Sequence, residues 1–104
     1  MPMISSTTIL RAKPGYEGAI REALLDLADY IQESEAETVD FRILADEQDA
    51  AIFTLLGRFT SRAALDTHNN SDMMNRFLWA ARSMLDGPVT LSMGAEIFAK
   101  MTAP

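Results

Sequence analysis

Residues 50–59 read Ala-Ala-Ile-Phe-Thr-Leu-Leu-Gly-Arg-Phe, and this stretch decides the fold. In an extended chain Phe53 and Leu55 point to one face, and Ile52 and Leu56 point to the other. An antiparallel strand with one face in water alternates apolar and polar side chains. Because this stretch is apolar on both faces, it predicts a central strand that is covered on both sides.

A second strand is predicted immediately before it. Apolar and polar residues alternate there, with Val39, Phe41, Ile43 and Ala45 set against Thr38, Asp40 and Arg42. This period of two is the pattern of a half-buried strand. The polar turn Asp-Glu-Gln-Asp at residues 46–49 is short enough to join two antiparallel strands. The two segments are therefore predicted to form a hairpin.

Helical periodicity precedes the hairpin, from Tyr16 to about Glu33. Apolar residues recur there at steps of three and four, namely Tyr16, Ile20, Ala23, Leu24, Leu27 and Ile31. This spacing places them on one stripe, as in an amphipathic helix with one buried face.

A second helical region follows the hairpin. Thr60 or Ser61 can cap its first segment, and residues 69–71, Asn-Asn-Ser, interrupt it. The second segment carries an apolar stripe and is expected to continue until Gly87-Pro88.

The outer strands complete the pattern. Residues 3–12 are rich in β-branched side chains, and residues 89–97 alternate apolar with polar. The order β-α-β-β-α-β is the split βαβ arrangement of ferredoxin-like α+β domains. It predicts a four-stranded antiparallel sheet with its helices on one face. We expect a single domain over residues 1–104, with its core at 3–100.

The helix-free face of this sheet predicts a homodimer. Either Ile52 with Leu56, or Phe53 with Leu55, must lie on that face, and a contiguous exposed apolar patch is uncommon in a monomer. A second copy packed on the sheet would bury it. The alternative is a monomer in which a few apolar residues are simply exposed.

Composition restricts the classes of partner. The net charge is −6, so the chain is expected to bind neither nucleic acid nor an anionic membrane surface. Without cysteine, disulfides, thiolate catalysis and zinc-thiolate sites are excluded. The first residues lack the pattern of a signal peptide, and no apolar run is long enough to span a membrane. A cytoplasmic protein is expected.

His68 is the only histidine and the natural candidate for a general acid or base. The alternative is a structural histidine that closes the break between the two helical segments. No metal site is expected, because a second histidine is missing and only Asp66 and Asp72 lie near it in sequence.

Two further residues are candidates for ligand contacts. Trp79 falls off the apolar stripe of its helix, so it either touches a ligand or partner or is covered by arginine side chains. Arg58 could bind an anionic substrate, or it is a solvated or paired charge. The glycines are isolated, which disfavours a Gly-rich phosphate loop, and no cofactor is expected.

The segment from Gly57 to Phe77 resembles the antibiotic biosynthesis monooxygenase family of dimeric α+β barrels. Phe59 stands where that family has an aromatic residue ending the third strand, and Ala64-Leu65 and His68 follow as in the family. Pro14-Gly15 before the first helix also matches.

The sequence departs from the family pattern at two places. Gly57 replaces a glutamate that stands two residues before the aromatic, and residues 35–37, Glu-Ala-Glu, replace a Glu-Pro-Gly stretch. The residues that the haem-degrading branch uses are replaced by Thr7 or Thr8, His68 and Leu78, so haem degradation is not expected.

The resemblance implies a cofactor-independent monooxygenase that oxidises a small aromatic or quinone-type metabolite between sheet and helices. His68 would be its base, with substrate contacts from Thr8, Phe53, Arg58, Asn69 and Trp79. Two alternatives remain on the same scaffold. One is a dimeric barrel that binds a small molecule without catalysis, and the other is an isomerase or degradation enzyme.

Overall fold

The computed structural model describes residues 2–101. Residue 1 and residues 102–104, the ends of the expected domain, lie outside the described part. The elements in chain order are β1 (Ile4–Arg11), α1 (Glu17–Ser34), β2 (Thr38–Ala45), β3 (Ile52–Phe59), α2 (Arg62–Asn69), α3 (Asp72–Ala81) and β4 (Thr90–Ala95). The predicted ferredoxin-like order is confirmed, with the second helical region in two segments.

The four strands form one antiparallel sheet in the order β2-β3-β1-β4. Two neighbouring rows across this sheet position the candidate site. One row, the Leu55 row, consists of Ile43, Leu55, Thr8 and Leu91. The next, the Gly57 row, consists of Phe41, Gly57, Ser6 and Met93.

In the single chain, burial alternates along β3 rather than extending over both of its faces. Phe53, Leu55, Gly57 and Phe59 are buried on the side of the helices, while the residues between them are partly exposed. Ile52 and Leu56 therefore lie on the face without helices, which we call the open face. The prediction that apolar side chains occupy both faces of β3 is confirmed.

The core lies between the sheet and the helices. From α1 it takes Ile20, Leu24, Leu27 and Ile31, which confirms the predicted stripe. A smaller cluster of Phe59, Ala64 and Leu65 fills the end of the sheet under α2, with Ile4 packed against it.

Serine caps explain why the second helical region has two segments. The Ser61 Oγ accepts a hydrogen bond from the Ala64 backbone N–H at 3.1 Å, at the start of α2. The Ser71 Oγ accepts one from the Met74 backbone N–H at 3.1 Å, at the start of α3. Each hydroxyl satisfies an amide that has no partner within its helix.

The second segment ends earlier than the sequence predicted. Helix α3 stops at Ala81 rather than near Gly87. The backbone beyond it pairs with the end of β1, because the Lys13 N–H donates to the Met84 carbonyl and the Asp86 N–H donates to the Arg11 carbonyl. These tertiary hydrogen bonds replace those that a longer helix would form.

The last strand is also shorter than residues 89–97. It ends at Ala95, and the side chains of Ile97 and Phe98 beyond it are exposed. Within residues 2–101, none of the helices combines the length and apolar character needed to cross a membrane.

Candidate functional site

A cavity of about 380 Å³ opens between the sheet and helices α2 and α3. Its lining consists of Thr8, Leu10, Leu55, Asn69, Met74, Phe77, Leu78, Val89 and Leu91. We call it the apolar cavity, because only Thr8 and Asn69 carry polar side chains. A mostly apolar wall with a few polar groups is typical of small-molecule sites, and the volume falls in their usual range.

Thr8 and Asn69 reach the apolar cavity from two different elements. Thr8 lies in the Leu55 row of the sheet, and Asn69 is the last residue of α2. The Asn69 Nδ2 donates to the Met93 Sδ at 3.9 Å. Since a thioether is a weak acceptor, a ligand oxygen would be the better partner for this amide.

His68 lies in a different place, beside a smaller cavity of about 200 Å³. We call this the His68 cavity; its lining consists of Tyr30, Ser34, Glu35, Ala36, Glu37, Thr38, Ala64, Thr67, His68 and Ser71. Among the residues that the structure describes, none lines both cavities. His68 and Asn69, although adjacent in sequence, therefore serve different cavities.

The His68 side chain is paired with the Glu35 carboxylate. Its Nδ1 lies 2.7 Å from the Glu35 Oε1, and the two side chains are only 6% and 7% exposed. A carboxylate can only accept a hydrogen bond, so Nδ1 carries the proton and donates it. In the neutral imidazole the lone pair is then on Nε2.

Further contacts fix the position of this pair. The Thr38 hydroxyl also donates to the Glu35 Oε1, at 2.7 Å. The imidazole packs against two aromatic rings, with centroid distances of 4.9 Å to Phe59 and 5.7 Å to Phe41. The pair thus ties α2 to the end of α1 and the start of β2.

Glu35 is the residue that the sequence analysis missed as the partner of His68. The two residues are 33 positions apart, and no periodicity relates the end of one helix to the interior of another. The only available signal was the family pattern, because Glu35 keeps the glutamate of the Glu-Pro-Gly stretch. The same carboxylate has a buried Oε2 without a hydrogen-bond partner among the described residues.

Close contacts explain why position 57 is a glycine in this fold. A Cβ at this position would lie 2.8 Å from two carbon atoms of the Phe59 ring and 3.3 Å from the Ser6 Oγ. The Phe59 ring therefore lies over Gly57 on the helix side of the sheet. The glutamate that the family pattern has at position 57 would not fit unless Phe59 moved.

The other three predicted contact residues lie outside the lining of the apolar cavity. Phe53 is buried in the main core. Trp79 is 69% exposed on the outer side of α3, and the Arg82 Cζ lies 3.7 Å from its ring centroid. Arg58 lies on the open face of the sheet.

Arg58 pairs there with Glu96. The Arg58 Nε and Nη2 each donate to one carboxylate oxygen at 2.8 Å, and the side chains are 22% and 16% exposed. The Ser5 hydroxyl donates to the same carboxylate. The hydrogen bonds from Arg58 and then Ser5 outweigh desolvation and lower the pKa of Glu96 from 4.5 to about 2.

This pKa predicts a specific acid sensitivity. A carboxylate whose pKa is lower in the folded state contributes stability above its unfolded pKa and loses it as the pH falls through the folded value. For Glu96 that window runs from about pH 4.5 down to about 2. Urea titrations across this window should show a shallower loss of unfolding free energy for Glu96→Gln than for wild type. Arg58→Met should also make the loss of unfolding free energy shallower between these pH values. If both variants lose unfolding free energy as steeply as wild type, the lowered pKa of Glu96 is contradicted.

Comparison with known proteins identifies the family. The family model described as antibiotic biosynthesis monooxygenase matches residues 3–78 of the 104-residue chain. The chain belongs to the antibiotic biosynthesis monooxygenase family. The resemblance read from the segment around Phe59 and His68 is thereby confirmed.

Solved structures agree with the family fold. Rv0793 from Mycobacterium tuberculosis is 19% identical and superposes with a TM-score of 0.86, over 95% of this chain and 99% of that chain. PA3566 from Pseudomonas aeruginosa is 20% identical, with a TM-score of 0.83 over 94% and 97%. At these identities the likeness shows the fold alone. The comparison with curated proteins gave no match.

Proposed function

We propose that this family member is a cofactor-independent monooxygenase that oxidises a small aromatic or quinone-type metabolite in the apolar cavity. The observation that supports it is the cavity itself, which offers an apolar wall for a flat ring and two polar side chains, Thr8 and Asn69. Such a wall excludes water, and electrostatic interactions strengthen where water is excluded.

The proposed reaction draws its electrons from the substrate. A ring CH₂ group loses both hydrogens and gains one oxygen atom of O₂ as a carbonyl, and the other oxygen leaves as water. The four electrons that reduce O₂ come from that carbon, so the balance needs no separate reductant. The step begins from the substrate anion, whose negative oxygen must be stabilised.

Asn69 and Thr8 are assigned to that oxygen. The Asn69 amide and the Thr8 hydroxyl are donors held by the end of α2 and by the central sheet. Preorganised donors aimed at a developing oxyanion stabilise the transition state more than water does. None of the described residues that line the apolar cavity is titratable, so the substrate is expected to lose its proton to solvent before it enters.

His68 receives a different role from the one that the sequence suggested. Since it lies beside the His68 cavity, we assign it as a positioning residue that holds α2, and with it Asn69, through its bond to Glu35. Arg58 and Trp79 are left out of the proposed site.

Oxygen uptake with anthrone, whose central ring carries the CH₂ group, tests the proposal. Asn69→Ala should lower kcat by about 100-fold, the effect of removing one oxyanion donor. The matched control is Asn70→Ala, the same change one residue later and outside the lining of the apolar cavity. Wild-type uptake no faster than the uncatalysed reaction, or equal kcat in both variants, would contradict the proposal.

A second candidate is a small-molecule-binding protein without catalysis. It is supported by the lining of the apolar cavity, in which no residue within 2–101 has a titratable side chain. The same experiment separates the two, because a pure binding protein would bind anthrone without accelerating oxygen uptake.

We further propose that two copies pack through their open faces. Ile9 and Leu44 are exposed on that face, beside Ile52 and Leu56 on the central strand β3. The exposed Ile97 and Phe98 add apolar surface at the end of the last strand. Burial of apolar surface contributes about 25 cal/mol per Å² before association costs. The apolar cavity lies on the other side of the sheet, so the dimer would leave it free.

A further inference from the structure

The Asn69 amide contacts a methionine that solvent reaches. Asn69 lines the apolar cavity, and its Nδ2 lies 3.9 Å from the Met93 Sδ. Met93 belongs to the Gly57 row and lies on β4, an edge strand of the sheet. Every residue of β4 is exposed, and Met93 itself is 41% exposed. A dissolved oxidant can therefore reach the side chain that the Asn69 amide contacts.

Met93 combines this exposure with proximity to the apolar cavity. Within residues 2–101, the exposed methionines are Met93 and Met101. The Met101 Sδ accepts a hydrogen bond from the Arg58 Nη1 at 3.6 Å, on the open face of the sheet. Met74 lines the apolar cavity but is only partly exposed. Since an oxidant must touch the sulfur, Met93 is expected to react before Met74.

We propose that Met93 is a site of oxidation by hydrogen peroxide, and that the sulfoxide formed there binds the Asn69 amide and withdraws it from the apolar cavity. The thioether sulfur loses two electrons and gains one oxygen atom of the peroxide, while the other oxygen leaves as water with both hydrogens. The effect on oxygen uptake rests on the proposed function, in which Asn69 is assigned to the substrate oxyanion. The hydrogen bond to the sulfoxide does not rest on it.

Oxidation strengthens one hydrogen bond of the Asn69 amide. A thioether is a weak acceptor, whereas the sulfoxide is polar and presents an oxygen atom. The 3.9 Å between Nδ2 and Sδ leaves room for that oxygen at about 2.7–3.2 Å from Nδ2, the usual hydrogen-bond distance. Because the methionine side chain has three rotatable bonds, either sulfoxide epimer can turn its oxygen to the amide. The amide is then held at Met93 instead of at a ligand oxygen.

The first test measures oxygen uptake with anthrone after limited treatment with hydrogen peroxide and its removal, with the oxidised residues identified by peptide mass spectrometry. Once Met93 is oxidised, kcat of wild type should fall by about tenfold or more, with the roughly 100-fold effect of losing one oxyanion donor as its limit. Met93→Leu, a change that nearly conserves volume, should keep its kcat under the same treatment. Methionine sulfoxide reductases should restore kcat of oxidised wild type.

The matched control is Met101→Leu. It removes the other exposed methionine of residues 2–101, which lies at Arg58 and outside the lining of the apolar cavity. Peroxide should inactivate Met101→Leu as it inactivates wild type.

Two further measurements test whether Met93 acts through the amide. Asn69→Ala has already lost the donor, so oxidation of Met93 should lower its kcat no further. In ¹⁵N-labelled protein, the side-chain amide signals of Asn69 can be assigned by their loss in Asn69→Ala. Oxidation of Met93 should move one amide proton downfield and slow its exchange with water, whereas peroxide should leave these signals of Met93→Leu unchanged.

The outcomes separate the oxidation site from the proposed function. An equal loss of kcat in peroxide-treated Met93→Leu, or a further loss in oxidised Asn69→Ala, would overturn the inference. So would oxidation of Met74 before Met93, or unchanged Asn69 amide signals in wild type that carries the Met93 sulfoxide. If wild type does not accelerate oxygen uptake, the proposed function fails, and the mass spectra and amide signals still decide whether the sulfoxide forms and binds Asn69.

Discussion

The His68→Ala variant should lose about 3–5 kcal/mol of unfolding free energy, the usual loss when removal of one partner leaves a buried charge without compensation. The substitution leaves the Glu35 carboxylate in a buried site where the Thr38 hydroxyl is its remaining donor at Oε1. It also leaves a gap between the rings of Phe41 and Phe59. Both effects lower the unfolding free energy.

A second variant separates the contribution of the buried charge from that of the gap between the rings. Glu35→Gln keeps the shape of the side chain and an oxygen that can accept from the His68 Nδ1–H. Glu35→Gln should lower the unfolding free energy much less than His68→Ala does. In the double variant the two losses should be less than additive, because the costly buried carboxylate is gone.

Urea unfolding of the four proteins at one protein concentration measures these differences. The concentration is held constant because subunit association would itself contribute to stability. If His68→Ala lies within about 1 kcal/mol of wild type, which is the effect of an average substitution, the pair is not a structural tie between α2 and α1.

A second large effect is expected at the open face. Wild type should sediment at twice the 11.5 kDa mass of one chain, and Leu56→Lys should sediment as a single chain. Leu56 lies on the central strand β3, opposite Thr7 and Arg42. A lysine there would have to be desolvated between two sheets, where burial of an unpaired charge is strongly unfavourable.

The matched control is Leu25→Lys. Leu25 is an exposed leucine on α1, on the helix side of the sheet. The same substitution there should leave the dimer intact. Sedimentation of wild type as a single chain at micromolar concentration would remove the proposed homodimer, and dissociation of both variants would show that the open face is not the contact.

Much of the fold could be predicted because local patterns agree with it. The stripe of Ile20, Leu24, Leu27 and Ile31 predicted α1, and the two-sided apolar run predicted β3. The end of α3 could not be predicted in this way. Met84 and Asp86 leave the helix to form backbone hydrogen bonds with Lys13 and Arg11, about 70 residues earlier in the chain.

The candidate site was predicted in part. Thr8 and Asn69 were named from the sequence, and both line the apolar cavity. His68 was also named, but its cavity and its partner were not. Phe53 and Trp79 were also named as contacts but do not line the apolar cavity, because Phe53 lies in the core and Trp79 is exposed. Trp79 packs against Arg82, which is the alternative that the sequence left open.

The sequence by itself determined the order of the elements and the buried face of α1. These properties follow from spacings of two to four residues, which the local backbone geometry converts directly into faces. The family was identified from its resemblance at residues such as Phe59 and His68. Only the tertiary structure decided that Glu35 meets His68, that Phe59 lies over Gly57 and that Arg58 faces away from the apolar cavity. Such contacts depend on how the helices and strands pack against one another, and local residue spacing carries no information about that packing.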